Sequence, residues 1–180
     1  MGKKVLILST SPRRNSNSEA LAEAFAKGAT ESGHDVELIS LRSKELRFCM
    51  GCFACQKSGK CVIKDDMQEI VPKMNDAEVL VFATPIYYYE MSGQMKTLLD
   101  RGNPLFTSDY QFRDVYFLAS AAEEEEFVPQ RAINGLEGWI ECFPKASLAG
   151  TVFGGGVTET GEMKNHPEKL QAAYELGRSL

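Results

Sequence analysis

The sequence predicts an α/β fold, a three-layer doubly wound sheet of five parallel strands in the order 2-1-3-4-5, and three observations predict it. Five strand-length aliphatic runs alternate with five segments of helical apolar spacing. Several runs are continuously apolar, as strands covered on both faces are. No fixed-period repeat, low-complexity tract or linker divides residues 1–180, so a single domain is expected, with right-handed crossovers between its strands.

Residues 3–10 are the first strand. Leu21, Ala22, Phe25 and Ala29 set a helix over 19–32, which Gly33 and His34 end. Val36, Leu38 and Ile39 mark a second strand over 35–41, completing a βαβ unit. Asp66 with Glu69 reads as a capping box for a helix to about Met74, followed by a buried strand over 78–84. A helix over 92–101 stops at Gly102 and Pro104. The remainder reads as strand 114–121, helix 128–143 with the only tryptophan, strand 146–153 and a closing helix 167–180.

A chain of 180 residues that is 43% hydrophobic can bury a continuous core without disulfides. Its apolar runs fall far short of the about 20 residues that cross a bilayer. The start shows no secretory signal pattern, so a cytoplasmic protein with no membrane partner is expected. The net charge of −5 argues against a nucleic-acid partner and for a small molecule or a protein. His34 and His166 read as solvated, and Cys142 as a small buried hydrophobe.

In a doubly wound sheet the ligand lies beyond the carboxyl ends of the strands, near the switch in strand order. The loop after the first strand, residues 9–18, is rich in hydroxyls and amides, carries Arg13 and Arg14, and enters a helix at Ser16 with Glu19 three residues on. Helix N-terminal amides, hydroxyls and an arginine suit a phosphate dianion. Neither GxGxxG nor GxxxxGK[ST] is present, so a phosphomonoester fits better than a dinucleotide or a nucleoside triphosphate. After the third strand, Pro85 and Ile86 precede Tyr87, Tyr88 and Tyr89, planar surfaces for a flat heteroaromatic ring. The loop from Ser120 reaches the same sheet edge, and the glutamates 123–126 after it read as a solvated run that repels anionic acceptors. Cys49, Cys52, Cys55 and Cys61 form a CxxCxxCx5C pattern closer to the ligand order of a [4Fe-4S] cluster than to zinc knuckles, with zinc and uncomplexed, oxidisable thiols left open. No side chain presents itself as a catalytic acid, base or nucleophile.

Over nearly its whole length the chain resembles the flavodoxin-like NADPH-dependent FMN reductases and, within them, the iron-sulfur flavoproteins. The resemblance is carried by Ser11-Pro12-Arg13 with residues 15–18, by the cysteine block followed by Asp65-Asp66, by Thr84-Pro85-Ile86-Tyr87, and by residues 96–101 ending in Asp100-Arg101. It implies that Ser11, Arg13, Ser16, Asn17 and Ser18 cradle the FMN phosphate, that Pro85, Ile86, Tyr87 and Tyr88 line the isoalloxazine, and that Ser120 approaches its pyrimidine edge. It implies an oxidoreductase passing hydride from NADH or NADPH to FMN and on to a quinone, free flavin or other small acceptor. The alternative it carries is an iron-sulfur flavoprotein or flavodoxin-like carrier fed by a protein electron donor. A homodimer or homotetramer with the flavin near a subunit interface is also implied.

Overall fold

The computed structural model describes residues 2–180. In chain order the elements are β1 (Lys4–Ser9), α1 (Asn17–Glu31), β2 (Asp35–Ser40), α2 (Ala54–Ser58), α3 (Met67–Asp76), β3 (Val79–Tyr87), β4 (Glu90–Met91), α4 (Gly93–Arg101), β5 (Asp114–Ser120), α5 (Gln130–Ile140), β6 (Ser147–Gly154) and α6 (Pro167–Arg178). Five strands pair in parallel in the order β2-β1-β3-β5-β6, which is the expected 2-1-3-4-5 arrangement once the short antiparallel β4, hydrogen-bonded to the end of β3, is set aside.

Alternation of side chains along each strand builds two cores from one sheet. On β1, Val5 and Ile7 pack with Leu21, Phe25 and Ala29 of α1 and Ala173 of α6, whereas Leu6 and Leu8 pack with α3, α4 and α5 through Ile70, Leu98 and Leu136. The central strands have no wet side, which is why their sequences are apolar throughout. Helices α1 and α6 touch backbone to backbone at two glycines. A Cβ on Gly28 would sit 2.0 Å from the Tyr174 carbonyl oxygen, and one on Gly177 would sit 2.1 Å from that of Phe25.

Several expectations are corrected. Asp66 stands at the N-cap position of α3, but its side chain does not cap the helix; its carboxylate accepts the Glu45 N–H at 2.6 Å and a Lys44 ammonium proton at 3.4 Å, tying the chain back to the segment after β2. Helix α5 is shorter than residues 128–143, so Cys142 lies beyond its end and is exposed, its thiol 3.7 Å from the Gly138 oxygen. His34 is half-buried, and its Nδ1 accepts the Lys3 N–H at 3.0 Å. The short α2 and β4 had no sequence signal long enough to mark them. No helix is long and apolar enough to cross a membrane.

Candidate functional site

At the carboxyl edge of the sheet a cleft of about 430 Å³ opens between the loops after β1, β3, β5 and β6, a size that suits a small-molecule site. Every residue that the resemblance implies for cofactor binding lines it: Ser11, Arg13, Ser16, Asn17 and Ser18 from the first loop, Pro85, Ile86, Tyr87 and Tyr88 from the third strand, and Ser120 from the fourth parallel strand. The register explains the meeting, because Ser9 pairs with Ala83 and Pro85 with Ser120, so three loops leave the sheet side by side.

The anion end is built on the first turn of α1. Ser16 is the N-cap, its hydroxyl accepting the Glu19 N–H at 3.1 Å, which leaves the N–H groups of Asn17 and Ser18 among those a helix cannot satisfy itself. The Ser18 hydroxyl is buried without a protein partner. Such a group costs about 1–3 kcal/mol unless something hydrogen-bonds to it, so a phosphate oxygen fits here. Asn17 lines the cleft with its amide already committed: Nδ2 donates to the Glu159 oxygen at 2.9 Å and Oδ1 accepts the Met163 N–H at 3.0 Å. Arg13 donates to the Thr158 oxygen at 2.8 Å, and its other terminal nitrogen lies 4.0 Å from the Glu159 carboxylate at the rim. Both side chains thus pin the segment after β6, whose Val157, Thr158 and Thr160 also face the cleft. That segment is braced by Glu162, which accepts the N–H groups of Thr158 and Glu159 at 2.6 and 2.8 Å. These bonds, Glu159's foremost, hold the Glu162 carboxyl below its usual range.

The aromatic wall is a two-residue hairpin. Tyr87 pairs with Glu90, and the turn residues Tyr88 and Tyr89 have φ of 51° and 65°, the left-handed conformation of a type I′ turn that Asn and Gly normally supply. Two tyrosines there cost free energy, and Tyr88, 98% exposed, recovers none by packing. Tyr89 stacks on Phe127 at 6.3 Å between centroids, with the Arg131 guanidinium 5.8 Å from its ring. Behind the hairpin, the buried hydroxyls of Thr10, Thr84 and Ser92 join the first loop to the third: Thr10 and Ser92 are 3.0 Å apart, Thr84 and Ser92 3.2 Å. On the far side Ala121, Ala122 and Glu123 complete the lining. Gly155 lets that loop lie against the segment after β6, since a Cβ there would meet the Glu123 oxygen at 2.4 Å. Sequence reading placed Thr10 in the first loop and Ser92 at a helix start but gave neither a bridging role, and it missed the segment after β6, which carries no motif of its own.

The four grouped cysteines lie outside this lining, in a loop over residues 47–65 that is clamped at its base. Arg101 and Asp65, both fully buried, form a forked pair at 2.5 and 2.8 Å; Arg101 also donates to the Arg47 oxygen at 2.6 Å, and Asp65 accepts the Arg47 N–H at 2.8 Å. Burial pushes Asp65 upward, but the Arg101 bond, the Arg47 and Met67 N–H groups and the Arg101 charge outweigh it and leave the carboxyl below its usual range. Cys55 is buried, Cys61 half-buried, and Cys49 and Cys52 exposed, all with free thiols. Among the described residues no three of these side chains are gathered around a metal position. As a donor set, four thiols in one clamped loop match the chemistry of a soft, thiolate-bound centre. Neither histidine lines the cleft.

The chain is similar to known proteins over most of its length. The family model for NADPH-dependent FMN reductases matches residues 3–151. An iron-sulfur flavoprotein of Methanocaldococcus jannaschii is 41% identical over 98% of this chain and 95% of its own. One of Methanosarcina thermophila is 28% identical over 86% of this chain and 82% of its own. Among solved structures, an NAD(P)H:quinone oxidoreductase from Methanothermobacter marburgensis superposes with a TM-score of 0.72 at 20% identity, over 99% of this chain and 97% of that one, a likeness of fold. With the family model covering most of the sheet and all the loops at its carboxyl edge except the last, the chain belongs to the NADPH-dependent FMN reductase family and is an FMN-dependent NAD(P)H oxidoreductase.

Proposed function

We propose that the cleft holds FMN with its phosphate on the first turn of α1 and its ring against the tyrosine hairpin, and that the chain uses it to reduce a quinone, a free flavin or another small acceptor. The observation that carries this reading is that Ser18, whose buried hydroxyl has no protein partner, and the Pro85-Tyr88 wall line one cleft. Bound FMN supplies hydride acceptance from a nicotinamide and release of the electrons singly or in pairs. The protein's part is positional: Ser11, Ser16 and Ser18 fix the anion, Arg13 offsets its charge, Pro85 to Tyr88 orient the ring, and Glu123 at the rim disfavours anionic acceptors.

The four cysteines Cys49, Cys52, Cys55 and Cys61 would hold a [4Fe-4S] cluster. Their spacing, their shared loop and the names of the most similar relatives support this. The loop exposes Phe48, Met50 and Phe53, which favours a protein electron donor as a second route into the same flavin. A cytoplasmic homo-oligomer is the setting we assign to it.

The test is anaerobic purification with the visible spectrum, iron and acid-labile sulfide recorded per flavin, followed by NADPH oxidation with a quinone present. Stoichiometric FMN and acceptor-dependent NADPH consumption support the reading. A protein that binds FMN no better when intact than when Ser18 and Tyr87 are both replaced by alanine would remove the cleft assignment. Loss of iron absorbance in Cys52→Ser with the flavin band intact is expected, and unchanged iron would remove the ligand assignment.

A further inference from the structure

The clamp under the cysteine loop uses residues that the flavin cleft does not. The turn Asn103–Thr107 follows directly on α4, and its first residue reaches across the fold: Asn103 Nδ2 donates to Cys55 Sγ at 3.1 Å. Two residues earlier, Arg101 spends both terminal nitrogens on Asp65 and Arg47, yet its Nε–H is buried with no partner. The Asn103 amide is already aimed at a cysteine sulfur, and two residues away the buried, unpaired Arg101 N–H is costly in a loop of uncomplexed thiols, because a buried donor left unmatched costs about 1–3 kcal/mol. They are well matched to thiolate sulfurs that carry negative charge.

We propose that Asn103 and Arg101 are positioning residues for the cysteine-bound centre, Asn103 donating to the Cys55 sulfur and Arg101 closing the loop with one buried donor to spare, and that together they set the potential of that centre. The inference rests on the reading of the four cysteines as cluster ligands. Uptake of one electron adds one negative charge and moves no proton or leaving group, so donors and cations next to the ligating sulfurs favour the reduced form and raise the potential. Arg101 also holds the loop ends in register, and lysine would keep its charge but lose the fork to Asp65.

The experiment reconstitutes the full chain with ferrous iron and sulfide without oxygen, then measures iron and sulfide per chain, FMN per chain, and the midpoint potential from the iron-sulfur absorbance in a dye-mediated titration. Asn103→Ala and Asn103→Asp are expected to load FMN and iron as the parent does, with the potential falling from parent to alanine and further to aspartate, which keeps the size but replaces the donor by a charge of the wrong sign. A purely structural Asn103 would not rank the two variants in that order. Arg101→Lys is expected to retain less iron than the parent. Full loading with one potential shared by parent and both Asn103 variants overturns this inference alone. A parent that takes up no iron overturns the ligand reading beneath it, so the two failures are distinguishable.

Discussion

Replacing Tyr88 by asparagine should make the protein more stable and its flavin site worse. In the hairpin that joins β3 to β4, Tyr88 holds a φ of 51° and Tyr89 one of 65°. For an L-residue with a bulky side chain the left-handed region costs about 1–2 kcal/mol relative to the right-handed one, and asparagine escapes part of that cost through local hydrogen bonds. Since Tyr88 is 98% exposed, its removal forfeits almost no buried area. Tyr88→Asn should therefore gain about 0.5–1 kcal/mol, which in a chain of this size raises the melting temperature by roughly 1–4 °C. The assay is thermal unfolding of the FMN-free protein, paired with FMN titration and with the KM for NADPH. Strain that persists at an exposed turn points to use of that side chain at the cleft, so FMN affinity or KM should worsen while stability improves. An unchanged or lower melting temperature would refute the strain argument, and unchanged binding and KM would refute the functional one.

Arg13→Ala should weaken FMN retention roughly ten- to hundredfold, because a charge-assisted contact to phosphate is worth about 1.5–3 kcal/mol; equilibrium dialysis of FMN against parent and variant checks it. Gly28→Ala should destabilise by about 1–3 kcal/mol in urea unfolding, since a methyl 2.0 Å from the Tyr174 oxygen forces α1 and α6 apart, more than the up to about 1 kcal/mol of helix propensity it gains. Asp65 has a carboxyl held below its ordinary range, so its contribution is fully present above the unfolded-chain value and is lost as pH falls through the lowered one. Acid unfolding should show this step, and Asp65→Asn should remove it while costing about 3–5 kcal/mol near neutral pH by leaving Arg101 buried and unpaired.

The layers were legible because the central strands are covered on both faces and appear as apolar runs, the edge strand β2 alternates, and each helix shows a stripe. The cleft residues were legible for a different reason: the loops after the first, third and fourth parallel strands must emerge together wherever the strand order switches, and their hydroxyl and tyrosine content is unusual. What stayed hidden was held by tertiary contacts. Asp66 carries a perfect local signal for capping but is drawn off by Lys44 and the Glu45 N–H. The segment after β6 has no composition that marks it, yet Asn17 and Arg13 pin it over the anion end from across the chain. Tyr88 and Tyr89 defeat turn reading outright, because the turn they make is one that sequence rules reserve for Asn and Gly.

One helix joins the two sites. Helix α4 is capped at its start by Ser92, whose hydroxyl accepts the Met95 N–H at 3.3 Å while joining Thr10 and Thr84 behind the cleft. The same helix ends at Arg101, the clamp of the cysteine loop. Its rise of about 1.5 Å per residue separates these ends by roughly 13 Å. Met95, Leu98 and Leu99 seat the helix in the core, so the separation is set by packed backbone and not by a loop. A flavin and a thiolate-bound centre placed at the two ends would keep a fixed spacing as either one changes charge. The motif residues at 96–101 then owe their place to geometry: Arg101 touches no part of the cleft, yet through α4 it determines where the cysteine loop stands relative to it.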